Sequence, residues 1–203
     1  MKIYIDAGHG GSSIGATHKG RKEQDDCLRL ALKVKELLLT QKDIEVKLSR
    51  EKDINPDIDD RCAEANKWGA DYFCSIHRNA FKPNSATGAE VWLYSKVKKN
   101  GDTYTKAEKI LELICAATGY KNRGVKLGAP SYTDFGVNRL TKMHSALFEI
   151  GFIDSDSDNV VFDEKFNDMA KAIAKGLYEV NGGKWVEAVE EKKEENNGYI
   201  YYI

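Results

Sequence analysis

Apolar residues recur along this chain in two periods, and the alternation between them predicts strands interleaved with helices. Met1 to Ile5, Ile44 to Leu48, Asp71 to Ile76, Gly88 to Tyr94 and Ser145 to Ile153 are short apolar runs bounded by turn residues, the signature of buried strands. Helical spacing fills the intervals. It runs from about Arg21 to Leu39, with Cys27, Leu30, Ala31, Val34, Leu37 and Leu38 on one face, then over Pro56 to Trp68, Thr103 to Thr118, and Phe166 to Val180. Asn55 is a candidate cap with Pro56 at the first helical position, and Gly119 a candidate terminator. From Tyr120 to Phe135 the periodicity is lost among Gly124, Gly128 and Pro130, which predicts a long loop contacting substrate. Elements in this order make an α/β sheet, and open sheets of that class bind ligands past the carboxyl ends of their strands.

Two strands end in a histidine at that edge. The first runs into Asp6-Ala7-Gly8-His9-Gly10-Gly11, where glycines let the backbone approach a bound object, and Asp71 to Ile76 leads directly to His77. Either one alone reads as a solvated turn residue; together they repeat one geometry. Steps of about 100° along the first helix put Glu23 in the middle of the apolar arc, with Gln24 and Asp25 pointing away and Asp26 at its margin. An inward carboxylate needs a helix amino terminus, a cation or a metal to compensate it. Glu149 is the single acid of a core strand, where desolvation raises the pKa into a range useful for proton transfer.

Two imidazoles and one carboxylate are the donors of hydrolytic zinc sites with an open fourth position, and His9, Glu23 and His77 supply them. Such chemistry requires a carboxylate to take a proton from water and return it to the leaving group, and Glu149 is the candidate. The other histidines, His18 and His144, fall in predicted loops and are candidate substrate contacts. Exchange of either for His9 or His77 is the alternative assignment that spacing leaves open.

Composition narrows the partners. The chain has 203 residues, enough for one domain and an appendage, here divided into a domain at 1–182 and a charged tail at 183–203. The tail ends in Tyr199 to Ile203, a lone strand that would pair with a sheet edge, join an oligomer or be the remnant of a further module. A net charge of -1 argues against nucleic acid, and no apolar run approaches the roughly 18 residues of a membrane span, so no membrane insertion is expected. The amino terminus lacks a charged n-region and apolar h-region, so synthesis in the cytoplasm without a signal peptide is expected. Cys27, Cys62, Cys74 and Cys115 form no C-x-x-C pair and are expected to be buried thiols. The oxygen-rich run Asp154 to Asn159 reads as turn and helix-capping chemistry rather than a calcium loop.

Several motifs in order carry a resemblance: Ile5-Asp6-Ala7-Gly8-His9-Gly10-Gly11, Glu23, Ser49-Arg50, Arg61 with Ala65-Asn66, Ala70-Asp71, Ser75-Ile76-His77-Arg78-Asn79-Ala80, Arg123-Gly124-Val125 and Glu149-Ile150-Gly151-Phe152-Ile153. Over about residues 2 to 180 the chain resembles the zinc N-acetylmuramoyl-L-alanine amidases of type 3. The resemblance implies a single α/β domain with a central six-stranded, mostly parallel sheet flanked by helices on both faces. It further implies one zinc ion per chain on His9, Glu23 and His77, Glu149 as acid/base, and cleavage of the amide between N-acetylmuramic acid and L-alanine in bacterial peptidoglycan. The chain departs from the family pattern at Arg78, where alanine is common, and at His144, where proline is common; these two, with Asn79 and Arg139, are the expected substrate contacts. Lacking visible wall-binding repeats, it is similar to phage endolysins and sporulation lysins, which reach the wall after holin-type release or mother-cell lysis. The alternatives are a zinc peptidase cutting within the stem peptide and a non-catalytic wall-binding protein.

Overall fold

A computed structural model describes residues 1–130 and 133–187. In chain order the elements are β1 (Lys2–Ala7), β2 (Thr17–His18), β3 (Arg21–Lys22), α1 (Glu23–Leu38), β4 (Glu45–Leu48), α2 (Ile58–Trp68) and β5 (Tyr72–Asn79). There follow β6 (Ala89–Leu93), α3 (Asp102–Thr118), β7 (Asn122–Leu127), α4 (Gly136–Arg139), β8 (His144–Phe152), α5 (Asp156–Glu164) and α6 (Phe166–Val180). Six strands form one sheet in the order β4-β1-β5-β8-β6-β7, parallel at every pairing except β6 with β8. The expected α/β domain with a six-stranded, mostly parallel sheet and helices on both faces is thus the fold.

The two faces are covered unequally, and this positions the site. Alternate residues Ile3, Ile5 and Ala7 of β1, Tyr72, Cys74 and Ile76 of β5, and Ala146, Phe148 and Ile150 of β8 enter the large core under α1, α3 and α6. The opposite parity faces the smaller layer of α2 and α4, where Tyr4, Phe73 and Leu147 pack with Cys62, Ala65 and Val137. Along that face each central strand turns from apolar to polar as it runs to its carboxyl end: Tyr4 to Asp6, Phe73 to Ser75 to His77, Leu147 to Glu149. A register shift between His77 and Asn79 marks a bulge at this edge, and such bulges re-aim side chains beside active sites.

Some expected elements change. A hairpin of β2 and β3, turned by Lys19 (φ 48°) and Gly20 (φ 83°), delays the first helix from Arg21 to Glu23. Helix α2 starts at Ile58 with Asp57 in the cap position, because the Asn55 side chain is taken by Arg61 Nη2 at 2.9 Å and the Pro56 carbonyl by Arg61 Nε at 2.7 Å. The loop expected from Tyr120 to Phe135 contains β7, an edge strand whose residues are half-exposed, so no alternation announces it. His18 and His144 lie on strands rather than in loops. The Asp154–Asn159 run does cap: Ser155 accepts from the Asp158 amide, and Asp158 accepts from Gly88 and Phe152 amides. The four cysteines are buried free thiols.

Residues 183–187 fold back onto the domain, with Trp185 edge-on to Tyr178 and Val186 exchanging hydrogen bonds with the Gln41 side chain. The rest of the expected tail, with its terminal strand and the oligomer contact assigned to it, lies in 188–203, outside the described residues. Among the described residues no helix is long and apolar enough to cross a membrane.

Candidate active site

His9 follows β1 and adopts φ 59°, a left-handed conformation that costs a β-carbon-bearing residue about 1 kcal/mol or more. Two buried arginines hold it there. Arg50 donates to the carbonyls of Ala7, Gly8 and Gln24, and Arg61 donates to those of Ala7 and His9 while pairing with Asp6 at 2.9 Å. Asp6 is fully buried and also accepts from Ser75 Oγ at 2.7 Å. Gly8 and His9 lie past the end of β1, where their carbonyls have no strand partner, so the guanidinium forks satisfy what would otherwise be orphaned acceptors.

Glu23 opens α1, its amide bonded to the Ala16 carbonyl at 3.0 Å. Its Oε2 accepts from the Ala16 amide at 2.8 Å and lies 3.1 Å from His9 Nε2; its Oε1 accepts from the Arg78 amide at 3.1 Å and from His77 Nδ1 at 2.9 Å. One donor atom from each of His9, Glu23 and His77 lies within 4.8 Å of the others, a group able to hold a metal ion. Close approach depends on two glycines. A β-carbon at Gly8 would stand 2.5 Å from the His77 ring, and one at Gly15 2.5 Å from Glu23 Oε2. Burial pushes the Glu23 carboxyl up, but the hydrogen bonds from His77 and His9 outweigh it and hold it well below the usual carboxylate range. Burial disfavours a charged His77, and the Glu23 carboxylate reverses this and raises its pKa.

Glu149 stands beside His77 in the β5–β8 register and opposite Glu90 in the β8–β6 register. Its Oε2 is buried without a hydrogen-bond partner among the described residues. Burial pushes its pKa up to about 7, with the nearby Glu23 and Glu90 carboxylates adding to the rise against the opposing effect of His77. Glu90 is itself saturated by Asn79 Nδ2, Trp92 Nε1 and Arg123 Nε at 3.0, 3.0 and 2.7 Å. The four groups His9, Glu23, His77 and Glu149 open on one cleft of about 920 Å³. One wall is the acidic first turn of α2 with Asp57, Asp59 and Asp60; another is apolar, from Phe135, Val137 and Leu147.

The remaining predicted contacts separate. Asn79 borders the cleft. Arg78 borders it through its backbone side only, for its guanidinium is 1% exposed and bonded to Asp26 and Asn159 behind the sheet. Arg139 is exposed on α4 and does not line the cleft. His144 begins β8, at the opposite edge of the sheet from Glu149, where its Nδ1 lies 2.7 Å from Thr103 Oγ1 and its Nε2 3.0 Å from Asp102. The fold therefore does not bring Arg78's side chain, Arg139 or His144 to the cleft. Nor does it bring His18, which pairs with Asp156 at 3.2 Å. The supporting shell of Arg50, Arg61, Asp6 and Glu90 carries no role in the sequence-based reading. Its signal was strand parity for Asp6 and the inward arc of α2 for Arg61, which shares that arc with Cys62 and Ala65.

A family model described as N-acetylmuramoyl-L-alanine amidase matches residues 3–179. An N-acetylmuramoyl-L-alanine amidase of Bacillus licheniformis, CwlM, is 38% identical over 161 residues, 78% of this chain and 59% of that protein. The endolysin of Bacillus phage SPP1 is 33% identical over 180 residues, 88% of this chain and 65% of that protein. The chain thus spans about three-fifths of the length of these curated relatives. The crystal structure of an N-acetylmuramoyl-L-alanine amidase from Clostridium difficile 630 superposes with a TM-score of 0.81 at 32% identity, covering 91% of this chain and 98% of the other. With the family model covering nearly all of the described domain, this chain belongs to the N-acetylmuramoyl-L-alanine amidase family.

Proposed function

We propose that this chain is a zinc-dependent peptidoglycan hydrolase that cleaves the amide between N-acetylmuramic acid and L-alanine, with residues 1–182 as its catalytic unit. The observation that carries the reading is the convergence of His9, Glu23 and His77 beside a half-buried Glu149, whose Oε2 has no hydrogen-bond partner among the described residues, in one open cleft. The donor set fits zinc: two imidazole nitrogens and a carboxylate leave a tetrahedral ion one open position. One donor atom from each of the three side chains lies within 4.8 Å of the other two, close enough for a single ion to be held by all three. Zinc held there would supply Lewis acidity, lowering the pKa of water towards about 7 and polarising a carbonyl.

The rest of the work falls to the chain. Glu149, whose pKa burial raises to about 7 in the metal-free chain, takes the proton of water and delivers it to the amide nitrogen as the bond breaks. Glu90 directs Asn79 towards the cleft, and Asn79 is the polar contact for the glycan or the first peptide bond. The apolar wall of Phe135 and Val137 excludes water from one side of the bound strand. Peptidoglycan, reached after release from the cell that makes the protein, is the partner.

The test is Glu149→Ala on purified cell walls, read as release of new amino termini. A fall in rate of about 10²–10⁴-fold is expected; a rate near that of the unaltered chain removes the proposed acid/base. Mass spectrometry of the wild-type digest must show glycan freed of peptide. Fragments cut within the stem peptide would instead make the chain a peptidase.

A further inference from the structure

The residue after His77 points to the other face of β5, into the layer beneath α1, and there it places a guanidinium with no exposure to speak of. Arg78 Nη1 bonds Asp26 Oδ2 at 2.5 Å, and its Nη2 bonds Asn159 Oδ1 at 2.8 Å and the Phe152 carbonyl at 3.4 Å. Its Cζ sits 4.2 Å over the Phe162 ring. Asn159 and Phe162 lie on α5, and the other two partners belong to elements that carry the site. Asp26 is one turn along α1 from Glu23, Phe152 closes the strand that bears Glu149, and Arg78 itself adjoins His77 on β5. Its amide, moreover, donates to Glu23 Oε1 at 3.1 Å.

Charge compensation alone does not explain the arrangement. Asp26 is already bound by Arg21 at 2.6 Å and by Arg29 at 3.2 Å. A long apolar side chain would fill the same space without burying a cation, which is costly to desolvate. What a guanidinium adds is direction: a rigid planar fork ties three separate segments at fixed angles, which neither a methionine nor a lysine does.

We propose that Arg78 is a positioning residue, clamping α1, β5 and the end of β8 so that Glu23 and His77 keep the separation a shared metal ion requires. This rests on the metal reading above, and the test separates the two. The protein is stripped of metal and titrated with Co²⁺ alone, against a competing chelator, following the visible absorption of the bound ion. Arg78→Met is the informative variant, since Asp26 keeps Arg21 and Arg29 and the fold keeps its packing volume. It is expected to bind Co²⁺ about 10–100-fold more weakly, the range for residues that orient metal ligands, with weakened absorption bands, and Arg78→Lys should recover only part of the loss. Leu177→Ala, buried on α6 away from the site, serves as a control for general destabilisation and should leave affinity within twofold of wild type.

Amide exchange in the metal-free chain gives a readout independent of any ion. The Ala16 amide, bonded to Glu23 Oε2 at 2.8 Å, should exchange several-fold faster in Arg78→Met and not in Leu177→Ala. A wild type that binds no Co²⁺ while Ala16 loses protection in Arg78→Met refutes the metal reading and supports the clamp. Folded Arg78→Met with unchanged Co²⁺ affinity and unchanged Ala16 exchange overturns the clamp, as does an equal loss in Leu177→Ala.

Discussion

Glu149 meets two opposed demands, a carboxyl able to lose a proton at neutral pH and enough burial to make that loss unfavourable. Burial pushes its pKa from 4.5 to about 7 in the metal-free chain. Between these values the unfolded chain releases a proton that the folded chain retains, so stability falls as pH rises through this window, and the full penalty stands above about 7. Glu149→Gln removes the titration. The stability of the variant relative to wild type, both in chelator, is therefore expected to rise by on the order of 3 kcal/mol from pH 4 to pH 8. Urea denaturation across that range measures it, and a difference that stays flat means the carboxyl titrates normally. Glu149 was legible because an acid breaks an otherwise apolar strand run, and Glu23 because the helical arc turns it inward. The side chains of Arg78, Arg139 and His144, expected at the substrate, lie away from the cleft, because position along the chain does not say which sheet face, which end of a strand or which side of a helix a side chain occupies.

At the scale of elements, the site depends on the joint between β1 and α2. Arg61 brings a guanidinium from α2 to Asp6, which has no exposure and whose other side-chain partner is Ser75. Arg61→Ala leaves that carboxylate uncompensated and releases the His9 and Ala7 carbonyls, at an expected cost of about 3–5 kcal/mol. Pairing Asp6→Asn with Arg61→Met removes both charges, and most of the loss should return. Denaturation midpoints of the two variants decide it: if the double variant is as unstable as Arg61→Ala, packing rather than charge is at stake. Long periodic elements were predicted within two residues at most ends, and α6 at both ends. The β2–β3 hairpin and edge strand β7 were not, because two-residue strands and half-exposed edges bury too little to impose a pattern.

For the whole molecule, the proposed ligands come from three segments that must be folded before they meet, so binding an ion there would be coupled to global stability. At about a hundredfold excess over its dissociation constant, zinc should add ~2.7 kcal/mol, or roughly 5–10 °C in melting temperature for a domain of this size. Calorimetry with zinc and with chelator measures the shift; His77→Ala should abolish it, and a shift that survives in that variant places the ion elsewhere. By itself the sequence determined the class of fold, the larger helices and central strands, and the residue types able to bind and hydrolyse, since each is written in local periodicity and in polar residues set against it. Only the tertiary structure decided that His9, Glu23, His77 and Glu149 share a cleft while His144 stands at the far edge of the sheet, and that Arg78 turns its charge inward. Those relations depend on strand order, register and face, which arise when distant segments pack together and leave no mark on any one stretch of chain.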